Sequence, residues 1–158
     1  MDGDHTLETC YDVTSKVLDS VFEALDQHKV ELNGIILKPN MVISGTDANN
    51  RADVATVASA TVDCLTKHVP EEVPGIAFLS GGQTSEEATA HLSSMNELGP
   101  HPWQLSFSYG RALQALPLKA WSGRSENIPL GQKEFSKRSR LNSLARTGNY
   151  HPQMESAD

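Results

Sequence analysis

Lys38 is the residue of this sequence best placed to do covalent chemistry. It ends the aliphatic run Ile35-Ile36-Leu37 and stands directly before Pro39, whose fixed φ pushes the preceding residue into extended geometry. We therefore expect Lys38 at the carboxyl end of a strand and partly buried. Burial favours the neutral amine, which can attack a carbonyl carbon and form a Schiff base. The alternative is an ordinary surface lysine, a position that long amphipathic side chains often take.

Two further segments could hold an anion. Ser80-Gly81-Gly82 lies between an apolar run and a helix signal, where the backbone N–H groups of glycines can approach an anion closely. Ser108-Tyr109-Gly110-Arg111 stands at a second such junction, and Arg111 offers a guanidinium to a phosphate. Taken singly, the first segment also fits a flexible turn, and the second fits a capping serine followed by a surface arginine.

Apolar periodicity divides the chain into alternating helices and strands. The predicted helices cover about residues 8–28, 52–68, 84–98, a segment from Ala112 and 130–146, and the predicted strands cover 35–38, 75–80 and 103–108. The first helix should bury a face that carries Val17, Leu18, Val21, Phe22 and Leu25. Thr84 and Glu87 form a capping-box signal, and Pro117 should end or kink its helix.

The end of the chain carries weaker signals. We expect a solvated face on the last helix, formed by its basic residues Lys133, Lys137, Arg138, Arg140 and Arg146. Residues 148–158 should be loosely ordered.

Helices alternating with continuous apolar strands predict a parallel α/β sheet covered by helices. The carboxyl ends of parallel strands lie at one edge of the sheet, which is where α/β proteins bind ligands. Lys38, Ser80 and Arg111 should therefore meet at that edge. A sheet of the three visible strands would leave two edges with unpaired backbone groups, so we expect something further to pair with it.

Composition excludes several classes of protein. A net charge of -7 argues against a nucleic-acid partner. No apolar run approaches the roughly 20 residues of a membrane helix, and the acidic start is unlike a secretory signal. Cys10 and Cys64 lack metal-type spacing and indicate reduced thiols in a cytoplasm. The scattered histidines favour structural or solvent roles, so we predict neither a metal nor a cofactor.

Taken together, the strand-end segments carry a specific resemblance. They read Leu37-Lys38-Pro39-Asn40-Met41-Val42, Phe78-Leu79-Ser80-Gly81-Gly82-Gln83, and Phe107-Ser108-Tyr109-Gly110-Arg111-Ala112-Leu113-Gln114. The chain resembles the carboxyl-terminal part of class I fructose-bisphosphate aldolase, and the resemblance runs from Asp2 to Tyr150.

The resemblance implies an α/β fold that is an incomplete (β/α)8 TIM barrel, with its last three strands and their helices in residues 1–150 and a tail over 151–158. It implies glycolytic cleavage of fructose 1,6-bisphosphate to dihydroxyacetone phosphate and glyceraldehyde 3-phosphate, through a metal-free Schiff base on Lys38. The implied site for the substrate phosphate next to the ketone is Ser80, Gly81, Gly82, Ser108, Gly110 and Arg111. The resemblance implies that the partner is the small-molecule sugar phosphate. It also implies that a full-length chain would form homo-oligomers.

The chain also departs from this family. A barrel of this kind needs eight strands and about 250 residues, so we interpret the chain as a partial sequence. The acid/base carboxylate of the family, its second lysine and the groups for the other phosphate lie on earlier strands and have no counterpart here.

Three hypotheses remain: an aldolase, a catalytically silent fragment that keeps a sugar-phosphate pocket or self-associates, and another Schiff-base barrel such as a transaldolase. The Ser-Gly-Gly-Gln and Ser-Tyr-Gly-Arg segments speak against the last of these. Whether fructose 1,6-bisphosphate or fructose 1-phosphate is preferred stays open.

Overall fold

A parallel sheet lies at the centre of the computed structural model, which describes residues 1–156. Within those residues the strands are β1 (Ile36–Leu37), β2 (Gly75–Phe78) and β3 (Gln104–Phe107), in the order β1-β2-β3. Both pairs are parallel: Ile36 lies opposite Gly75, and Ile76 opposite Leu105. The predicted parallel α/β architecture is therefore confirmed, although each strand is shorter than the apolar run that indicated it.

Helices follow and precede the strands as the periodicity indicated. They are α1 (Leu7–Gln27), α2 (Val54–His68), α3 (Ser85–Glu97), α4 (Arg111–Trp121) and α5 (Ile128–Ala145), with short 3-10 helices at Leu32–Gly34, Ser125–Asn127 and Pro152–Glu155. Side-chain caps begin three of them: Thr6 caps α1, Asp53 caps α2, and Thr84 with Glu87 forms the predicted capping box of α3. Each cap satisfies N–H groups that the first helical turn leaves unpaired.

The two faces of the sheet have different environments. Side chains alternate along a strand, so Ile76, Phe78 and Leu105 share one face. All three are buried in a core with residues of the helices, among them Val57, Ala58, Leu65, Ala88, Leu92, Met95 and Leu141. Ile36 falls on the opposite face and is 62% exposed. Helices cover one face of the sheet, and the face that carries Ile36 is open.

Two prolines on α4 and α5 are accommodated differently from expectation. Pro117 is buried inside α4, which continues to Trp121, so of the two outcomes expected, an end or a kink, the end is wrong. A proline removes only one intrahelical hydrogen bond, and α4 packs along α5, which supports the helix from outside. Pro129 lies in the first turn of α5, where a missing N–H has no partner to lose, so α5 begins at Ile128 rather than near residue 130.

Helix α1 exposes part of its apolar surface. Leu18 is buried, but Val17 and Val21, which the periodicity assigned to the buried face, are 54% and 38% exposed. Val13, one turn earlier, is 55% exposed and continues the same row. The 3.6-residue pattern identified an apolar stripe correctly, but within residues 1–156 only one side of that stripe is covered.

Arg138 was expected on a solvated face and is instead fully buried in α5, which is a correction. Its guanidinium donates to Ser85 O at 3.0 Å and to the Glu155 carboxylate at 2.5 Å. Glu155 belongs to the 3-10 helix Pro152–Glu155, which the sequence placed in a loosely ordered tail. Arg140 and Arg146 are exposed, as expected. Ala157 and Asp158 lie outside the described residues.

Candidate functional site at the carboxyl ends of the strands

Two backbone hydrogen bonds bring the three predicted segments to one edge of the sheet. Leu79 N donates to Pro39 O at 3.0 Å, and Ser108 N donates to Phe78 O at 2.8 Å. Both bonds extend the parallel ladder past the last strand residues. Lys38, Ser80 and Ser108 therefore leave neighbouring strands at the same end, as the sequence predicted for a ligand site.

Lys38 is exposed in this structure, so the expected burial of its amine is wrong for residues 1–156. The physical reason is its place directly after β1, because no further strand of the described chain lies beside β1 and none of the described helices covers that face. A cleft of about 570 Å³ opens beside Lys38. Its lining includes His5, Cys10 and Asn40 together with Leu37, Leu79 and the exposed valines of α1. No Asp or Glu is among the described residues that line this cleft.

Asn40 fixes the backbone just beyond Lys38. Its amide nitrogen donates to Met41 O at 3.0 Å and to Thr14 Oγ1 at 3.2 Å. Val42 N donates to Thr61 Oγ1 at 3.0 Å, and Pro39 is buried. The side chain of Lys38 is exposed, but the strand end that carries it is attached to both α1 and α2. In the sequence, Asn40 stands out only as part of the segment Leu37–Val42, and nothing there indicates that its side chain holds the backbone after Lys38.

The residues Ser80, Gly81 and Gly82 form a tight turn that favours glycine at position 82. Gln83 N donates to Ser80 O at 3.0 Å and closes the turn, and Gly82 has φ +72°, in the left-handed region. The Cα of Gly81 lies directly under the side chain of Met1, since a β-carbon there would fall 1.7 Å from Met1 Sδ. Ser80 is buried, Gly81 is half-buried and Gly82 is exposed, so Gly82 is the most accessible residue of the turn.

The capping box changes where an anion could bind near α3. Glu87 accepts from Thr84 N at 2.9 Å, and Thr84 Oγ1 accepts from Glu87 N at 3.1 Å. Glu86 and Glu87 also place two negative charges in the first turn, where they already complement the helix dipole. Arg51 is paired with Glu87 at 3.1 Å. The N-terminus of α3 is therefore occupied by its own carboxylates, and the free surface for an anion is the glycine turn before it.

The third segment begins α4. Arg111 is the first residue of α4, and its N-cap is Gly110, which makes no side-chain cap hydrogen bond. Ser108, Gly110 and Arg111 are all exposed. Tyr109 is buried between them and donates to Ala88 O at 2.8 Å, and burial raises the pKa of its phenol. Tyr109 thus fixes this loop to α3, a role that the sequence did not indicate.

His91 was set aside by sequence as a structural or solvent residue, and it contacts the glycine turn. It is 5% exposed, and its Nδ1 lies 2.6 Å from Gln83 Oε1. Burial lowers the pKa of His91 to about 4, while Glu87 raises it and Arg51 lowers it further. The imidazole is therefore neutral at physiological pH, with its Nδ1–H donated to Gln83. Gly-Gly-Gln followed eight residues later by histidine is too weak a signal to find this contact from sequence.

Residues 1–156 carry neither a metal-type cluster of side chains nor a membrane-spanning helix. No group of three or more His, Cys, Asp or Glu side chains there could hold a metal ion. None of the described helices combines the length and apolar character needed to cross a membrane.

Comparison with known proteins agrees with this geometry. A family model described as "Glycolytic: Fructose-bisphosphate aldolase class-I" matches residues 1–158. The chain is 53% identical to the non-muscle type fructose-bisphosphate aldolase of Lethenteron camtschaticum over 152 residues, covering 96% of this chain and 42% of that protein. It is 53% identical to fructose-bisphosphate aldolase B of Gallus gallus over 150 residues, covering 94% and 41%.

A solved structure is similar as well. It is fructose-bisphosphate aldolase from Plasmodium falciparum, described in a ternary complex with TRAP and a small molecule inhibitor. It superposes with a TM-score of 0.92 at 48% identity, covering 95% of this chain and 43% of that one. The chain thus spans less than half the length of these relatives. Matched over its whole length by the family model, at identities of 48% to 53% to these relatives, it belongs to the class-I fructose-bisphosphate aldolase family.

Proposed function

We propose that this chain supplies the Schiff-base lysine and one phosphate site of an aldolase that cleaves fructose 1,6-bisphosphate. Residues 1–150 are then the carboxyl-terminal part of a (β/α)8 barrel, with β1, β2 and β3 as its last three strands. The observation that carries the proposal is the shared edge: Pro39 O and Phe78 O accept from Leu79 N and Ser108 N, which aligns the strand ends. The proposed glycolytic role implies the cytoplasm, in keeping with free thiols at Cys10 and Cys64.

Lys38 is the nucleophile of the proposed reaction. Its amine attacks the ketone carbon of the sugar, water leaves, and a protonated imine forms. The C4 hydroxyl loses its proton and becomes a carbonyl as the C3–C4 bond breaks. The electron pair of that bond flows into the imine, which becomes an enamine. Glyceraldehyde 3-phosphate departs. Protonation of the enamine at C3 and hydrolysis of the imine then release dihydroxyacetone phosphate and restore the amine.

The other residues bind and orient in this proposal. The N–H groups of Gly81 and Gly82, the hydroxyls of Ser80 and Ser108, and the Arg111 guanidinium with Gly110 hold the phosphate beside the ketone. Anchoring the phosphate fixes the ketone carbon near Lys38, and such positioning accounts for a large part of many rate enhancements.

Turnover by this chain alone should be small. The proton transfers of the scheme need a positioned acid/base, and no Asp or Glu is among the described residues lining the cleft beside Lys38. Loss of such a group typically lowers a rate by about 10² to 10⁴. Exposure of Lys38 also leaves its amine hydrated. We expect imine formation with little or no cleavage.

Borohydride reduction in the presence of dihydroxyacetone phosphate tests the proposal, with mass spectrometry of the Lys38 peptide. A reduced adduct on Lys38, absent from Lys38→Arg and not found on the exposed Lys29, is the expected result. A folded chain that yields no adduct would overturn the proposed role of Lys38 as the Schiff-base nucleophile. Normal cleavage of fructose 1,6-bisphosphate by the purified chain would overturn the expected lack of turnover.

A second candidate function is a catalytically silent fragment that keeps the anion site or self-associates. The exposed apolar side chains Ile36, Val13 and Val17 favour self-association, since they form uncovered surface on the sheet and on α1. Phosphate binding without a Lys38 adduct would favour this candidate over the enzyme.

A further inference from the structure

The two glycines of the phosphate turn have no side chains with which to hold their own conformation. Gly81 and Gly82 lie between Ser80 and Gln83, and glycine loses more conformational freedom on ordering than any other residue. Their geometry is therefore set by their surroundings: Met1 lies against both glycines, Thr46 lies against Gly82, and the residues at the two ends hold the backbone of the turn. Ser80 is fixed because it follows β2 and is buried.

Gln83 is held at both its backbone and its side chain. Its N–H donates to Ser80 O at 3.0 Å, and its Oε1 accepts from His91 Nδ1 at 2.6 Å. His91 lies two turns into α3, and side chains on a helix tilt toward its N-terminus, so the ring reaches back to the turn. His91 itself is enclosed in the core side of α3 at 5% exposure. The glycine turn is thus attached to a rigid helix by one short hydrogen bond.

The charged groups near this contact do not replace it. Glu87 and Arg51 both face His91, but they are paired with one another at 3.1 Å, and Glu87 also closes the capping box of Thr84. Both carboxylate oxygens of Glu87 are therefore engaged outside the turn. Within the described residues, His91 is the side chain that bonds Gln83.

We infer that His91 is a positioning residue for phosphate binding, acting through Gln83 to hold the N–H groups of Gly81 and Gly82 toward the ligand. This inference rests on the proposed function for the identity of the ligand. It assigns His91 no contact with substrate and no proton transfer. Its effect is preorganisation, which raises affinity by removing the ordering that the turn would otherwise undergo on binding.

The test separates phosphate affinity from Schiff-base chemistry. Lys38 is trapped with borohydride, using either dihydroxyacetone phosphate or dihydroxyacetone, which lacks the phosphate. In His91→Phe and Gln83→Met, which keep bulk but remove the hydrogen bond, the half-saturating dihydroxyacetone phosphate concentration should rise about threefold to tenfold. Trapping by dihydroxyacetone should not change. His91→Gln, whose amide can donate to Gln83, should restore part of the affinity, and Ser94→Ala on the same helix is the matched control.

Amide hydrogen exchange provides a readout that needs no ligand. The Gln83 N–H, bonded to Ser80 O, should exchange at least about threefold faster in His91→Phe, while amides in the middle of α3 exchange as before. Unchanged exchange at Gln83, or equal losses for both ketones, would overturn the inference. A wild-type chain that traps neither ketone overturns the proposed function instead, and the exchange experiment still decides whether His91 orders the turn.

Discussion

Arg138 and Glu155 form an ion pair that joins the last described segment to the helix that follows the glycine turn. The guanidinium Nη1 lies 2.5 Å from Glu155 Oε1, and Arg138 is fully buried. Its other terminal nitrogen donates to Ser85 O, at the first residue of α3. The phenol of Tyr150 also donates to Glu155, at 3.0 Å. The segment after α5 is therefore packed against the N-terminus of α3 through one buried arginine.

Replacing Arg138 should destabilise the fold strongly. We expect Arg138→Leu to lower the free energy of unfolding by about 3 kcal/mol, because Glu155 loses its counter-charge and Ser85 O loses a donor. Arg140→Leu on the exposed side of α5 should change it by less than about 0.5 kcal/mol. Urea unfolding curves of both variants measure the difference. Equal losses would mean that the buried pair adds no stability.

Stability should fall in mild acid through His91. Its pKa is about 4 in the folded chain because of burial, against 6.5 when unfolded, so between these values the unfolded chain binds more protons. The contribution of neutral His91 to the free energy of unfolding is fully present above about pH 6.5. It is lost as the pH falls toward 4, at no more than about 1.4 kcal/mol per pH unit. His91→Gln should lower the slope of the free energy of unfolding against pH in this range by the equivalent of about one proton. Substitution of the exposed His28 should leave that slope unchanged. Parallel profiles for wild type and His91→Gln would contradict the expectation.

Gly82 should be required for the conformation of the turn and for phosphate binding. Alanine at φ +72° is strained, so Gly82→Ala should lose about 1 kcal/mol of stability. Gly123 has the same φ and nothing within 4 Å of a β-carbon, which makes Gly123→Ala the matched control with a similar loss. Only Gly82→Ala should weaken binding of inorganic phosphate, measured by ³¹P NMR titration. A similar loss of phosphate affinity in both variants would argue against a site at the turn.

The exposed valines of α1 should promote self-association of the chain. Val13, Val17 and Val21 form one apolar row that lines the cleft beside Leu37 and Lys38. Val17→Lys should shift the chain toward monomer in sedimentation velocity, because a charge in that row opposes its burial. Gln27→Lys adds the same charge at an exposed position at the end of α1 and should leave the distribution unchanged. A wild-type chain that is monomeric at all concentrations would show that the row is not an interface.

Local signals in the sequence located the elements and the site segments because they act over a few residues. Pro39, the Thr84–Glu87 capping box and the apolar runs each determine conformation within a turn or a strand, and the parallel arrangement of the strands followed from the alternation. Lys38, Ser80 and Arg111 were found this way, since residue type and strand-end position are both readable in the chain.

Burial and long-range pairing were decided only by tertiary structure. Whether Lys38, Val17 or Arg138 meets water depends on which other segment lies against it, and the sequence around each residue is compatible with either outcome. The contacts of Gln83 with His91 and of Arg138 with Glu155 join residues whose side chains meet only after the helices have packed. The sequence by itself determined which residue types stand at the ends of the three strands. The fold decided which other residues hold them in place, because that depends on distances that no local pattern encodes.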